Sequence, residues 1–524
     1  MSRETVIGNL RLGGDNPVRI QSMTNTPTDD VKATVSQIVE LCDNGCELVR
    51  ITTRNIRDVS YLSEIKEELV RRNCLVPVIA DVHFNPKVAE LSAAIVEKVR
   101  INPGNYIDKK AGKTTFTDED TVNAVSAAKE KLIPLISICK KHDTAIRIGS
   151  NQGSLSDRIV FKYGDTAKGM VEAVMEFLRI FEELDFHNIV ISLKSSNPMI
   201  MIEANRLMVE RMNQIGVDYP LHLGVTEAGN GQEARIKSAI GIGTLLCEGI
   251  GDTIRVSLSE PPVEEILPAK EIARFKNDIR VGKFDVSKRP ALQDSQHPLS
   301  VIVSENVAKS SVSGYKLADF IIKDVGSHND FMLFNNNNFP NAKVMEVTGA
   351  SLKEICENLD GYFSEVPYRP LVIKKYYNRD IPYERLMIEA AVEIGFIISN
   401  YPVSGIWTNV RESIMADILQ ATRNRLSKPE FISCPTCGRT EYDLISVADE
   451  VKRKTSHLKD ITIGVMGCIV NGPGEMRGAD YGVVGFGKNK VILYRGSEAV
   501  GYPFPASEAA DRLLELIESD KQIK

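Results

Sequence analysis

Three cysteines near the end of the sequence have the surroundings of metal ligands. Cys434-Pro435-Thr436-Cys437 places two thiols on one tight turn, and Gly467-Cys468 brings a third from a glycine-rich segment. A carboxylate follows in Asn471-Gly472-Pro473-Gly474-Glu475. Thiolates are soft ligands that suit zinc or iron–sulfur clusters. The third thiol has no second CxxC partner, which argues against a closed zinc ribbon. Three thiolates and one oxygen donor would instead give a cluster with one exchangeable iron, an arrangement for catalysis rather than electron relay. Glu475 taken alone would read as a solvated carboxylate. Its place after Gly472-Pro473-Gly474, close to Cys468, is what draws it into the set.

A second group of residues could bind an anion. Arg50, Arg100, Arg147, Lys194 and Arg255 each stand at the C-terminal end of a short apolar run. One arginine there could simply pair with a neighbouring carboxylate. Five cations brought to one place repel one another unless an anion neutralises them. Their convergence therefore predicts a ligand with several negative charges, most naturally a diphosphate gripped by guanidinium groups. Asn151 and Ser257 would add neutral hydrogen bonds. Glu227, in Gly224-Val225-Thr226-Glu227-Ala228-Gly229, is the lone carboxylate on the later runs and a candidate proton donor or acceptor. Asp81 and His83 suit either acid–base work or support of the arginines, and the second role is favoured.

The elements that must position these residues follow a regular alternation. Short apolar runs at Val18–Met23, Leu48–Thr52, Val76–Val82, Lys98–Ile101, Thr144–Ile148, Ile189–Leu193, Leu221–Val225 and Thr253–Val256 are separated by amphipathic helical patterns. Eight strand–helix units in about 250 residues predict a (β/α)8 TIM barrel, whose active site lies at the C-terminal ends of the strands. A doubly wound open sheet fits less well, because no GxGxxG follows the first strand. Residues 1–282 are thus expected to form the barrel, 283–428 an inserted α/β middle domain, and 429–524 a compact α/β domain carrying the cysteines. Within the last domain, Tyr442–Leu444 reads as a strand, Val447–Leu458 as a helix and Thr462–Met466 as a strand leading to Cys468. In the middle segment, strands are expected at Leu299–Val303, Phe320–Ile322, Phe331–Phe334, Lys343–Val347 and Leu371–Tyr376. The stretch Ala391–Ile398 echoes Ala239–Leu246, and Ile406-Trp407 then falls on Ile254-Arg255. The middle segment reads as a degenerate copy of barrel units that has lost the anion-gripping arginine.

Composition narrows the function classes. A net charge of −6 gives no general case for nucleic-acid binding. No apolar run approaches the roughly 18 residues of a membrane helix, and the first residues carry no signal peptide pattern. Nine cysteines, an odd number without a secretory leader, suit a reducing, cytoplasmic setting.

The motifs Gln21-Ser22-Met23-Thr24-Asn25-Thr26, Ala80-Asp81-Val82-His83-Phe84, Arg100-Ile101-Asn102-Pro103-Gly104-Asn105, Arg147-Ile148-Gly149 and Gly251-Asp252-Thr253-Ile254-Arg255-Val256-Ser257, with the cysteine and Asn471–Glu475 motifs, carry a further implication. Together they resemble the 4-hydroxy-3-methylbut-2-en-1-yl diphosphate synthases of the non-mevalonate isoprenoid pathway. The resemblance implies reductive ring opening and dehydration of 2-C-methyl-D-erythritol 2,4-cyclodiphosphate at a 4Fe–4S cluster. By it, Cys434, Cys437, Cys468 and Glu475 hold the cluster, and Glu475 gives way to substrate. Arg50, Arg100, Arg147, Asn151, Lys194, Arg255 and Ser257 hold the cyclodiphosphate, and Glu227 supplies a proton. A flavodoxin or ferredoxin would deliver the electrons. The insert resembles that of the longer, three-domain form, although it is shorter than a second full barrel. Its expected role is spacing, so that the cluster domain meets the barrel of its own chain; monomer and dimer both remain compatible. A zinc-stabilised barrel that senses a phosphorylated metabolite would explain the cations and the CxxC. It would leave the third thiol, Glu475 and Glu227 without a purpose, and a pterin-binding methyltransferase barrel would leave the cysteines unused.

Overall fold

The computed structural model describes residues 2–82, 84–106, 115–278, 299–304, 320–322, 343–366, 370–434, 439–469 and 472–523. Contacts group them into two compact units. One contains residues 1–231, 250–270 and 428–524, and the other residues 232–249 and 271–427.

The first unit begins with a short antiparallel hairpin, β1 (Thr5–Ile7) and β2 (Leu10–Leu12). Eight parallel strands follow: β3 (Arg19–Met23), β4 (Leu48–Thr52), β5 (Val78–Asp81), β6 (Lys98–Ile101), β7 (Ala145–Asn151), β8 (Ile189–Lys194), β9 (His222–Leu223) and β10 (Thr253–Ile254). Each pairs with its neighbours in sequence, and β10 pairs with β3. The bridge Ile191–Leu221 joins β8 to the approach of β9 and closes the ring. The result is the TIM barrel expected from the alternating runs. The hairpin, which the sequence pattern did not announce, buries Ile7 and Leu12 against Leu48, Ile79, Ala145 and Val190. It seals the end opposite the strand C-termini, where side chains serve stability rather than chemistry.

The helices between strands start on polar caps that their sequences supply. Asp30, Asn55, Asn85, Thr166 and Asn197 each accept a hydrogen bond from the first turn of the helix that follows. The helix Ala167–Glu183 shows the usual division of labour, with Met170, Val171, Val174, Leu178 and Phe181 fully buried along one stripe.

The C-terminal part of the same unit is a five-stranded sheet in sequence order: β16 (Glu430–Ser433), β17 (Thr462–Met466), β18 (Tyr481–Gly485), β19 (Lys490–Arg495) and β20 (Glu498–Pro505). The expected strand at Tyr442–Leu444 is instead the start of a helix, Leu444–Thr455. Asp443 caps it by accepting from the Ser446 amide at 3.1 Å, and that local bond outweighs the strand propensity of Tyr442. The strand that precedes this helix is β16, which runs straight into Cys434.

The second unit holds a parallel sheet of five strands among the described residues. They are β11 (Ser300–Ser304), β12 (Phe320–Ile322), β13 (Lys343–Glu346), β14 (Leu371–Lys375) and β15 (Gly405–Thr408), in the order β12-β11-β15-β14-β13. The expected strand Phe331–Phe334 lies outside the described residues. That order repeats β4-β3-β10-β9-β8 of the barrel, so β15 stands where β10 does. The sequence echo between the helices before these two strands has a physical basis. A Cβ on Gly243 would sit 2.5 Å from a methyl of Val392, and one on Gly395 would sit 2.7 Å from Ile240. The equivalent glycines of helices Gly231–Cys247 and Tyr383–Asn400 thus each admit the equivalent aliphatic residue of the other. Among the described residues, no helix is long and apolar enough to cross a membrane.

Candidate active site

The strand ends of the barrel carry charge in rows. Asp81, Arg100 and Arg147 are direct register partners across β5, β6 and β7, and Asn151 partners Lys194 across β7 and β8. Side chains in register on neighbouring strands share a face, so two guanidinium groups and one carboxylate lie side by side. Arg50, Arg100, Arg147, Asn151, Lys194, Glu227, Arg255 and Ser257 line one cavity. Cys434 and Cys468 line the same cavity from the C-terminal sheet. All eight barrel residues singled out from the sequence are therefore brought together, with two of the four proposed cluster ligands facing them. Cys437 and His83 lie outside the described residues, as does the side chain of Glu475. Among the described residues, no three His, Cys, Asp or Glu side chains gather in the manner of a metal site.

The carboxylates at the mouth are already engaged. Asp81 Oδ1 is 3.3 Å from Arg100 Nη1 and 3.9 Å from Arg50 Nη1, while its Oδ2 is 3.8 Å from Arg439 Nη1. Asp81 thus lies against three arginines, the contact that the favoured supporting role requires. Glu265 takes Arg255 in a two-point grip, at 3.0 and 2.8 Å, and also accepts from Ser22 Oγ at 2.7 Å. The Met23 sulfur lies 3.1–3.2 Å from two nitrogens of Arg50 and 3.5 Å from Arg255 Nη1.

Arg147 is treated differently. It is 1% exposed, and its Nε and Nη1 have no hydrogen-bond partner among the described residues. Burial, and then the charges of Arg50 and Arg100, push its basicity well down. Lys194 is pushed well down by burial and by Arg147, Arg50, Arg255 and Arg100. Burial brings Arg50 to about 10, with Asp81 opposing the fall. The repulsion extends one layer deeper. Lys98 and His222, both fully buried, are lowered by burial and then by the cations above them. The Lys98 Nζ and His222 Nε2 atoms are also without hydrogen-bond partners among the described residues. An arginine gives up its proton with great difficulty. The mouth is therefore a preformed excess of positive charge in a water-poor space, which an anion would relieve.

Glu227 is built into this wall by its backbone. Its φ of 48° is a left-handed conformation that side chains rarely adopt, and such strain collects at functional sites. The turn aims its carbonyl at the C-terminal sheet, where it accepts from the Ser433 amide at 3.2 Å. Ala228 and Ser433 form a parallel bridge there. The Glu227 carboxylate is buried and accepts from the neighbouring Thr226 hydroxyl. Ser259 Oγ lies 3.0 Å from the Cys434 carbonyl and 3.2 Å from that of Ser433. The cysteine-bearing strand is thus stitched to the barrel mouth of its own chain.

Around Cys434 the backbone is shaped to receive sulfur. The Gly467 amide donates to Cys434 Sγ at 3.0 Å, and a Cβ at Gly467 would lie 3.2 Å from that atom. The nearby thiols Cys434 and Cys468 add to burial in pushing the Tyr442 phenol up.

Sequence reasoning missed Arg439, Met23, Glu265 and Ser259. Arg439, buried and lining the cavity from the C-terminal side, brings a sixth cation to the mouth. Its signal was available, since it follows Cys437-Gly438 directly. Glu265 carried none, because a carboxylate on a helix after the last strand looks like any solvated one.

Fold and site together define a (β/α)8 barrel with an anion-ready mouth, covered by a domain that presents thiols to it. Residues 2–270 match the family model of the GcpE TIM-barrel domain, and residues 430–519 that of the GcpE protein C-terminal domain. The chain belongs to the GcpE family. It is 39% identical to the 4-hydroxy-3-methylbut-2-en-1-yl diphosphate synthase (flavodoxin) of Bacteroides thetaiotaomicron, over 99% of this chain and 97% of that protein. The correspondingly named proteins of Phocaeicola vulgatus and Parabacteroides distasonis are each 38% identical, covering 99% and 98% of this chain and 97% of each relative. The first alignment spans 607 positions against 524 residues here, so that relative carries stretches this chain lacks.

Proposed function

We propose that the chain is a 4-hydroxy-3-methylbut-2-en-1-yl diphosphate synthase acting on 2-C-methyl-D-erythritol 2,4-cyclodiphosphate, with flavodoxin as electron donor. The observation that carries this reading is the cavity in which six cations and Glu227 face Cys434 and Cys468. A doubly charged cyclic diphosphate supplies what that cavity lacks. Two electrons and one proton convert the dianion to the allylic diphosphate trianion and water. The ring C–O bond and the hydroxyl C–O bond break, and a C=C bond forms.

The residues present fit an iron–sulfur cluster. Two thiols from separate loops border the cavity, an amide N–H is directed at one sulfur, and glycine leaves the space beside it clear. Cys434, Cys437, Cys468 and Glu475 are assigned as its ligands. When bound, a 4Fe–4S cluster with one exchangeable iron supplies electrons and a Lewis acid at the reacting carbon. The chain's own residues do the rest. Arg50, Arg100, Arg147, Lys194 and Arg255, with Asn151 and Ser257, hold the diphosphate oxygens and neutralise the charge that grows there as the ring opens. Glu227 holds the proton for the departing hydroxyl, and the surrounding cations keep its conjugate base stable afterwards. The insert is assigned a structural role, setting the separation from which residues 428–524 reach their own barrel.

Anaerobic preparation followed by iron and sulfide counts, with turnover of the cyclodiphosphate, tests this. Brown protein with about four iron per chain, forming one allylic diphosphate per two electrons, is the expected result. Colourless protein with about one zinc would overturn it.

A further inference from the structure

Arg439, Gly467 and Cys468 line two spaces. One is the substrate cavity, and the other is a separate cleft of about 300 Å³ bounded by Arg54, Phe84, Glu441, Ile469, Gly485 and Gly487. The Cys468 segment is therefore a thin partition between the barrel mouth and a second opening. Three large apolar side chains from different parts of the chain stand exposed at that opening. Phe84 follows β5, Ile469 follows Cys468, and Phe486 lies between the lining residues Gly485 and Gly487; they are 52%, 48% and 43% exposed. Single exposed apolar residues need no explanation, whereas three at the rim of one cleft mark a contact surface.

The charges around this rim are mainly positive. Arg54, paired with Asp58 at 3.3 Å, and the buried Arg439, turned to Asp81, line the cleft, and the exposed positive charge comes from Lys488 and Lys490 beside Phe486. Glu441 is the carboxylate among the lining residues. An apolar centre within a basic rim suits an acidic partner that presents an apolar edge. A flavin carrier has that chemistry, since the dimethylbenzene edge of its isoalloxazine is the apolar end of a redox group. Electron-transfer contacts are also small.

We propose that this cleft is the docking site of a flavodoxin. It seats the flavin edge among Phe84, Ile469 and Phe486, on the far side of the Cys468 segment from the substrate. The inference rests on the function proposed above. It explains why the partition needs two faces: the cyclodiphosphate occupies one and the reductant approaches the other, so neither has to leave for the other to act. Each flavodoxin hydroquinone would give up one electron and become the semiquinone, and two encounters supply the pair that the ring opening consumes.

The test is the affinity of oxidised flavodoxin for the reconstituted full chain, measured by calorimetry at low salt, for wild type, Phe486→Asp and Lys488→Glu. Turnover of the cyclodiphosphate with dithionite as a small reductant serves as the control. Phe486→Asp should raise Kd at least roughly tenfold. Lys488→Glu should raise it a few-fold, in a manner that disappears at high salt. Dithionite-driven turnover should not change in either variant. Wild-type Kd in both variants would overturn the proposal, and so would an equal loss of dithionite-driven turnover in both. Conversion with dithionite by a wild-type protein that does not bind flavodoxin would overturn the docking site and leave the reaction standing. Binding through this rim by a protein that does not convert the cyclodiphosphate would do the reverse.

Discussion

The barrel and the insert share a strand order, yet their strand ends handle charge in opposite ways. At the end of β14, Lys375 meets Glu393 at 3.0 Å and lies over the ring of Tyr377. Its neighbour Lys374 meets Glu346 at 3.0 Å and lies over the rings of Tyr376 and Trp407. Each of these cations has both a carboxylate and an aromatic face. In the barrel, two nitrogens of Arg147 find no hydrogen-bond partner among the described residues, and Lys194 is surrounded by like charges. Trp407, in the strand that occupies the position of β10, falls where the barrel has Arg255. A sheet end with its charges satisfied needs no ligand. One left in mutual repulsion costs stability, a cost that the anion proposed above would offset.

That contrast can be broken or sharpened by removing one lysine from each region. Lys194→Met should weaken cyclodiphosphate binding by roughly tenfold to a hundredfold, the worth of a charge-assisted contact in a dry site, as read from Kd by calorimetry. Lys375→Met should do the opposite. It leaves Glu393 buried without its cation and lowers unfolding stability by about 3 kcal/mol in denaturant titration, with the Kd for cyclodiphosphate unchanged. If Lys375→Met also weakened binding, the insert would be more than structural.

A smaller effect should appear in protons. The basicity of Lys194 is lowered in the free protein, and a bound diphosphate would raise it. Between the two values the complex holds a proton that the free site lacks. Binding should therefore take up a fraction of a proton at pH values below the ordinary lysine range, and weaken as pH rises through that interval. The unliganded fold should change in the opposite sense. The unfolded lysine keeps its proton up to its ordinary value, so stability rises with pH across the same interval. Calorimetry in two buffers of different ionisation enthalpy reads the uptake, and heats independent of buffer would contradict it.

The barrel was legible because each strand and helix carries its own period, and because register then forces strand-end residues onto one face. Asp81, Arg100 and Arg147 needed nothing beyond strand counting to be placed together. The hairpin at Thr5–Leu12 was not legible, since three-residue strands have too little alternation to detect. Tyr442–Leu444 failed for a different reason: three residues of strand character are overruled by one capping aspartate, Asp443. At the site, types and spacing revealed the cations and thiols but not the groups that restrain them. Glu265 and Met23 act through three-dimensional proximity alone, and their sequence surroundings are ordinary. The echo at Ala239–Leu246 and Ala391–Ile398 was visible as letters. Its cause, two glycines admitting each other's aliphatic neighbours, required coordinates.

The central claim is that the cations of the barrel mouth outnumber the carboxylates that restrain them, leaving an excess for an anion, and Arg147→Met tests it most directly. Thermal unfolding midpoints of the variant and the wild type would be compared with and without cyclodiphosphate. Removing a buried charge with two nitrogens lacking hydrogen bonds among the described residues should stabilise the unliganded protein by about 1–2 kcal/mol while abolishing most of the rise in midpoint that the ligand gives the wild type. A variant that melts earlier than the wild type without ligand, and still gains the full rise with it, would contradict the account.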